Sequence, residues 1–136
     1  MKATVKAYLE ADATLLATLT GGVHTSVEIN RQEAPSAFDA GGELLPCVLV
    51  RIENETSTGP YTDSSRQYLV LYFYQRRGYD AIDPALARAY VLLNRHKFSA
   101  QAVWEVRHAD DLRDARDEAL DADMAYSRYA ITRRRV

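Results

Sequence analysis

Between Arg66 and Arg76 the chain alternates without a break, as Arg66-Gln-Tyr-Leu-Val-Leu-Tyr-Phe-Tyr-Gln-Arg76, and few architectures accept such a stretch. Its aromatic and β-branched content predicts a long strand. Side chains alternate across a strand, so Gln67, Leu69, Leu71, Phe73 and Gln75 share one face. Arg66, Tyr68, Val70, Tyr72, Tyr74 and Arg76 share the other. The leucine and phenylalanine face belongs on the core. The tyrosine face can be half-wet, each ring body packed and each hydroxyl in water. A short turn over residues 78–82 and a helix follow, and that helix is the natural cover for the apolar face. Such a strand belongs in the middle of an antiparallel sheet covered on one side.

The rest of the chain supplies the other elements. At 136 residues one domain is expected, spanning 1–136 and burying roughly two-thirds of its unfolded surface. Residues 3–19 read as one amphipathic helix ended by Gly21-Gly22, with Asp12 at the edge of its apolar stripe. Val23 to Asn30 alternates and reads as a first strand. Residues 30–46 show no period and read as a long loop, anchored at its end by Leu44 and Leu45. A second strand, Cys47 to Glu55, puts Val48, Val50 and Ile52 on one face and Arg51, Glu53 and Glu55 on a solvated one. Thr56 to Ser65 is turn-rich and joins it to the long strand as an extended hairpin, with Tyr61 exposed near the tip.

Asp83-Pro84 is a helix start, with aspartate as N-cap, and the helix is expected to run to about Lys97. Leu86, Ala89, Tyr90, Val91 and Leu93 should face inward, and Arg95, His96 and Lys97 complement the helix dipole. Ala102 to His108 reads as a fourth strand, with Trp104 and Val106 on one face. Asp110, Asp111, Asp114, Asp117, Glu118, Asp121 and Asp123 then read as a solvated, partly helical connector. Met124 to Arg133 is a last strand, before Arg134 and Arg135. The fold class is α+β: an antiparallel sheet of about five strands with two helices packed on one face.

Chemistry is sparse by comparison. His24, His96 and His108 lack metal-ligand spacing, no glycine-rich phosphate loop is present, and no serine sits in a nucleophile elbow. Cys47 is the single cysteine, which excludes an intrachain disulfide, and its apolar setting predicts an inert thiol. Neither a catalytic residue nor a cofactor is expected. Of the acidic residues, Asp110, Asp114 and Asp121 are the set that could gather round a hard cation, but the fixed glycine of a calcium loop is missing. Seventeen basic against nineteen acidic residues give a net charge of −2, against a general nucleic-acid binder. An arginine patch of the tail with Arg76 and Arg77, beside exposed tyrosines, is the feature that would favour one. Lys6, Glu10 and Asp12 interrupt the opening residues, so no signal peptide is expected, and no apolar run reaches membrane-spanning length. A reducing cytoplasm is the expected place of synthesis. The acidic segment and the Arg133-Arg134-Arg135 end favour self-association, since opposite charges on different edges can dock neighbouring subunits head to tail.

Over nearly its whole length the chain resembles the tail terminator, or tail completion, proteins of long-tailed bacteriophages and related minor tail proteins. The likeness lies in Ala-Asp-Ala-Thr-Leu-Leu-Ala-Thr-Leu ending in Gly-Gly, and in Leu-Pro-Cys-Val-Leu-Val-Arg-Ile-Glu-Asn-Glu-Thr-Ser. Tyr-Leu-Val-Leu-Tyr-Phe-Tyr, the Ala-Leu-Ala-Arg-Ala-Tyr-Val-Leu-Leu helix and the acidic link to Tyr-Ser-Arg-Tyr-Ala-Ile continue it. It does not extend to the 56–65 loop or the arginine-rich end. The resemblance implies a non-enzymatic virion protein, made in the host cytoplasm. It would close into a ring, usually a hexamer, on the head-proximal end of the tail tube. The implied partners are further copies of itself, the tail tube protein and the head connector or stopper, with DNA passing through the lumen without specific binding and no membrane contact. Asp110, Asp111, Asp114, Asp117, Arg133, Arg134, Arg135, Tyr61, Arg76 and Arg77 are the expected interface residues. Another neck protein, such as a barrel-like head-closure subunit, is the nearest alternative. A small metal-dependent enzyme and a nucleic-acid module are the others.

Overall fold

A computed structural model describes residues 1–134, with Tyr61 and Thr62 described by their backbone alone. The described residues form three α-helices, Lys2–Glu10 (α1), Ala13–Thr18 (α2) and Ile82–Leu93 (α3). Six strands accompany them: Val23–His24 (β1), Cys47–Ile52 (β2), Thr56–Thr58 (β3), Tyr61–Gln75 (β4), Val103–Asp117 (β5) and Ala122–Arg134 (β6). They build one open, mostly antiparallel sheet in the order β1-β2-β4-β6-β5, with β3 also paired to β4. The α+β class expected from the sequence is therefore what the chain adopts.

β4 is central because both of its edges are occupied. β6 pairs along it from Ser64 to Gln75, while β2 and β3 share the opposite edge. The expected core face holds: Leu69, Leu71 and Phe73 are fully buried with Val48 and Val50 of β2 and Ala125, Tyr129 and Ile131 of β6. The helices cover this face with Val5, Leu9, Leu15, Leu86, Ala89 and Leu93. Tyr90 and Val91, expected inside, are 47 % and 65 % exposed, because α3 buries a narrower stripe.

Several expected boundaries move, each for an identifiable reason. The opening helix is two helices. Asp12 is the N-cap of α2, accepting a hydrogen bond from Leu15 N at 2.9 Å. Its carboxylate also takes a paired bond from Arg88 of α3, at 2.9 and 2.7 Å. The first strand shrinks to two residues, and it pairs parallel to β2 rather than antiparallel. Gly21 sets that approach: a Cβ there would stand 2.9 Å from the Pro46 carbonyl oxygen, closer than real contacts allow. α3 begins at Ile82 with Ala81 as N-cap, and Asp83 lies within its first turn rather than capping it. It stops at Leu93, not Lys97. Arg95 adopts a left-handed conformation (φ 68°) and its N–H bonds to the Val106 carbonyl at 2.7 Å, tying the chain to the edge of β5. His96 is thus past the helix end and stacks on Tyr8 with centroids 4.1 Å apart.

The 30–46 stretch is not structureless. It carries a 3-10 turn at Pro35–Ala37 and a bridge between Phe38 and Leu44. Ile29, Ala34, Ala37 and Leu44 pack against Cys47, Leu49, Tyr74 and Ala122, a second small core on the far side of the sheet. Half of the tyrosine face is therefore covered, and Tyr74 is buried. So are Cys47 and Leu49, on the β2 face expected to be solvated. Burial pushes the Cys47 thiol up to about 12, as an inert thiol requires. The 56–65 segment is mostly strand, with its turn reduced to Gly59 and Pro60.

Asp12 supplies the first prediction. The Arg88 hydrogen bond, with help from the Leu15 N–H, holds its carboxyl at about 2, below the usual aspartate value. A depressed carboxylate stabilises the fold fully above its unfolded value, near 4, and the stabilisation is lost as pH falls through about 2. Asp12→Ala should lower Tm by roughly 5 °C at pH 7. Melts of wild type and variant should converge as pH drops from 5 to 2; an unchanged gap across that range contradicts the assignment.

Candidate assembly surface

The acidic stretch departs most from expectation. Residues 110–117 continue β5 as strand instead of forming a partly helical connector. Aspartate is a poor strand former, but the whole propensity range is only about 1 kcal/mol and local context overrides it. The context here is cross-strand charge. Asp110 lies opposite Arg128 and accepts from it at 3.1 and 2.8 Å, and Arg116 opposite Asp123 donates to it at 3.0 Å. β5 also shifts register near Trp104, His108 and Arg113, which re-aims side chains. Val103 and Val106 consequently share the core, whereas Trp104, expected beside Val106, is 52 % exposed.

These shifts divide the acidic residues between the two faces. Asp110 lies on the open face, while Asp111 lies on the helix side and pairs with His108 at 2.9 Å. Asp114 has a left-handed backbone (φ 56°) and makes no ion pair among the described residues. Asp117 closes the hairpin turn by accepting from Leu120 N at 3.1 Å. Among the described residues no three histidine, cysteine or carboxylate groups converge to hold a cation.

The arginines expected near one another are far apart. Arg76 and Arg77 follow the last residue of β4, where Arg76 pairs with Glu43 at 3.0 Å and Arg77 with Asp121 at 3.2 Å. The Arg77 hydrogen bond holds the Asp121 carboxyl below the usual range. Arg133 and Arg134 end β6 at the opposite end, opposite Ser65 and Ser64. Arg135 lies outside the described residues, as does the side chain of Tyr61. The acidic and basic segments thus occupy opposite ends of one hairpin, not different edges of the sheet.

Between these ends the sheet keeps a bare half-face. Register places Arg51, Arg66, Tyr68, Tyr72, Tyr126, Arg128 and Arg134 on the side away from the helices, where Tyr72 borders the small core of the 29–44 loop and the others lie outside it. Tyr72 and Tyr126 meet edge to face at 5.7 Å, and the Arg128 guanidinium lies 4.9 Å from the Tyr68 ring centre. Arg51, Glu53, Thr56, Tyr68 and Tyr72 line a shallow groove there. Sequence reasoning identified the tyrosine alternation. It missed Arg51 and Arg128, which join the face only through the register of β2 and β6.

The fold has a precedent. It matches a chain of the virion of a native gene transfer agent particle. The TM-score is 0.75 and identity 16%, and the match covers 99% of this chain and 95% of that one. At that identity the likeness is one of fold. No protein-family model matches the sequence, and no curated protein does. No helix among the described residues is long and apolar enough to cross a membrane.

The hairpin's charge ladder is testable. Arg116→Ala removes the contacts to Asp121 and Asp123 while leaving the buried core intact. Amide exchange over residues 115–124 should quicken about tenfold, with Tm moving by less than about 2 °C. Unchanged exchange at the tip would show that the backbone ladder alone holds it.

Proposed function

We propose that the chain is a structural protein of a phage-like virion, working by assembly rather than catalysis. The observation that carries this reading is the near end-to-end match to a chain of a gene transfer agent virion. Within that class we read it as a tail terminator. Copies close into a ring, usually of six, on the head-proximal end of the tail tube, stop its growth, and offer a surface to the head connector. Its place is the neck of the virion, and its synthesis is in the host cytoplasm.

Several features support the finer reading. The three-helix layer on one face of the sheet favours it over a barrel-like head-closure subunit. Opposite charges toward the two ends of one hairpin, Asp110 to Asp117 at one and Arg133 and Arg134 at the other, suit heterologous contacts that close when the rotation allows. The Gly59-Pro60 turn before Tyr61 is exposed and suits a contact with the tube or connector; a Cβ at Gly59 would meet nothing within 4 Å. Arg76 and Arg77 extend the partner surface at the acidic end. A net charge of −2 suits a lumen through which DNA passes without sticking.

Native mass at high protein concentration, with the same sample imaged by negative stain, tests the reading. The expected species is a closed ring, about 92 kDa for six 15.3 kDa copies. Replacing Arg133, Arg134 and Arg135 together with Glu should leave the chain monomeric. A wild-type chain monomeric at every concentration would contradict ring formation, and intact rings in the triple variant would remove the arginine end from the contact.

A further inference from the structure

We infer that the bare half of the sheet receives the 114–118 hairpin tip of a second copy, an inference that rests on the ring reading above. The receiving face is defined by what covers its neighbour. The 29–44 loop seals the sheet over Leu49 and Tyr74 and packs one side of Tyr72, but the second core does not extend to Tyr68 and Tyr126, which stay half-buried. Two arginines on this side are neutralised locally, Arg128 by Asp110 and Arg107, which lies opposite Ala130, by Glu105 at 2.7 Å. Arg51, Arg66 and Arg134 make no ion pair among the described residues. The face is thus amphipathic and net basic, with ring edges to pack and guanidinium groups awaiting acceptors.

The chain itself carries the complement. Around the β5–β6 turn, Asp114 is unpaired among the described residues, and Glu118 is 84 % exposed with only a 3.7 Å contact to Arg116. Charge complementarity therefore selects an acidic protein segment as occupant, and a second copy supplies one. The two surfaces cannot meet within one chain. Both belong to one sheet: Tyr126 already lies four residues along β6 from the turn, and Arg134, at the far end of that thirteen-residue strand, is about 40 Å from it. Contact between different surfaces on successive copies is heterologous, the geometry that generates rings.

The test uses two charge-reversed full chains, Arg51→Glu/Arg66→Glu and Asp114→Lys/Glu118→Arg, with native mass and sedimentation as readouts. Each alone should associate at least tenfold more weakly than wild type. An equimolar mixture should assemble, because each variant's altered surface matches the other's. Melts confirm that each variant is folded, and Asp114→Asn/Glu118→Gln, which should weaken assembly less, replaces the reversed tip if that one unfolds. Wild-type assembly by either reversed chain, or a mixture that stays dissociated while wild type forms rings, overturns the contact and leaves the ring reading intact. A wild type that never assembles overturns both. Binding of a single-stranded thymidine 40-mer that Arg51→Glu/Arg66→Glu abolishes, with rings unaffected, would assign the face to nucleic acid instead.

Discussion

The structure depends on β4 having no free edge. Twelve of its residues, Ser64 to Gln75, bond to β6 on one side, while β2 and β3 fill the other. A strand held this way cannot slip by one residue without turning Leu69, Leu71 and Phe73 away from the helices. Everything else takes its position from that register. Val48 and Val50 meet Phe73 and Leu71, Ala125 and Tyr129 follow on β6, and the helices close over one apolar layer.

The same register creates the opposite face, which the chain divides in two. The loop before β2 folds back over Cys47, Leu49 and Tyr74 and makes a small second core there. Beyond its reach, rings and guanidinium groups stand side by side with their polar ends accessible. A face finished at one end and unfinished at the other is consistent with a protein that completes itself against a neighbour. The bulged outer edge of β5, bonded at Val106 and His108 by the Arg95 N–H and the Asn94 side chain, is less suited to strand addition. Faces, rather than edges, are therefore the natural joining surfaces.

Much of the helix side was legible in the sequence, because it rests on local period. The alternation of β4 and the apolar face of Val48 and Val50 could be read directly. What could not be read depends on partners distant in the chain. Residues 110–117 look like a solvated connector until Arg128 is known to lie across from Asp110 and Asp123 across from Arg116. Asp12 looks like a blemish on a stripe until Arg88 arrives from α3, seventy-six residues away. The 29–44 segment has no period because its apolar residues cover a curved patch instead of one strand or helix face. The candidate surface was half legible: the tyrosines and Arg66 by alternation, Arg51 and Arg128 only by register.

Cryo-electron microscopy of the assembled protein tests the central claim most directly, since it shows which surface lies between copies. The account predicts closed rings in which Tyr68, Tyr72 and Tyr126 lie at the boundary between one copy and the next. Rings that leave those three tyrosines facing solvent, with the subunits joined instead along the free edge of β5, would contradict it.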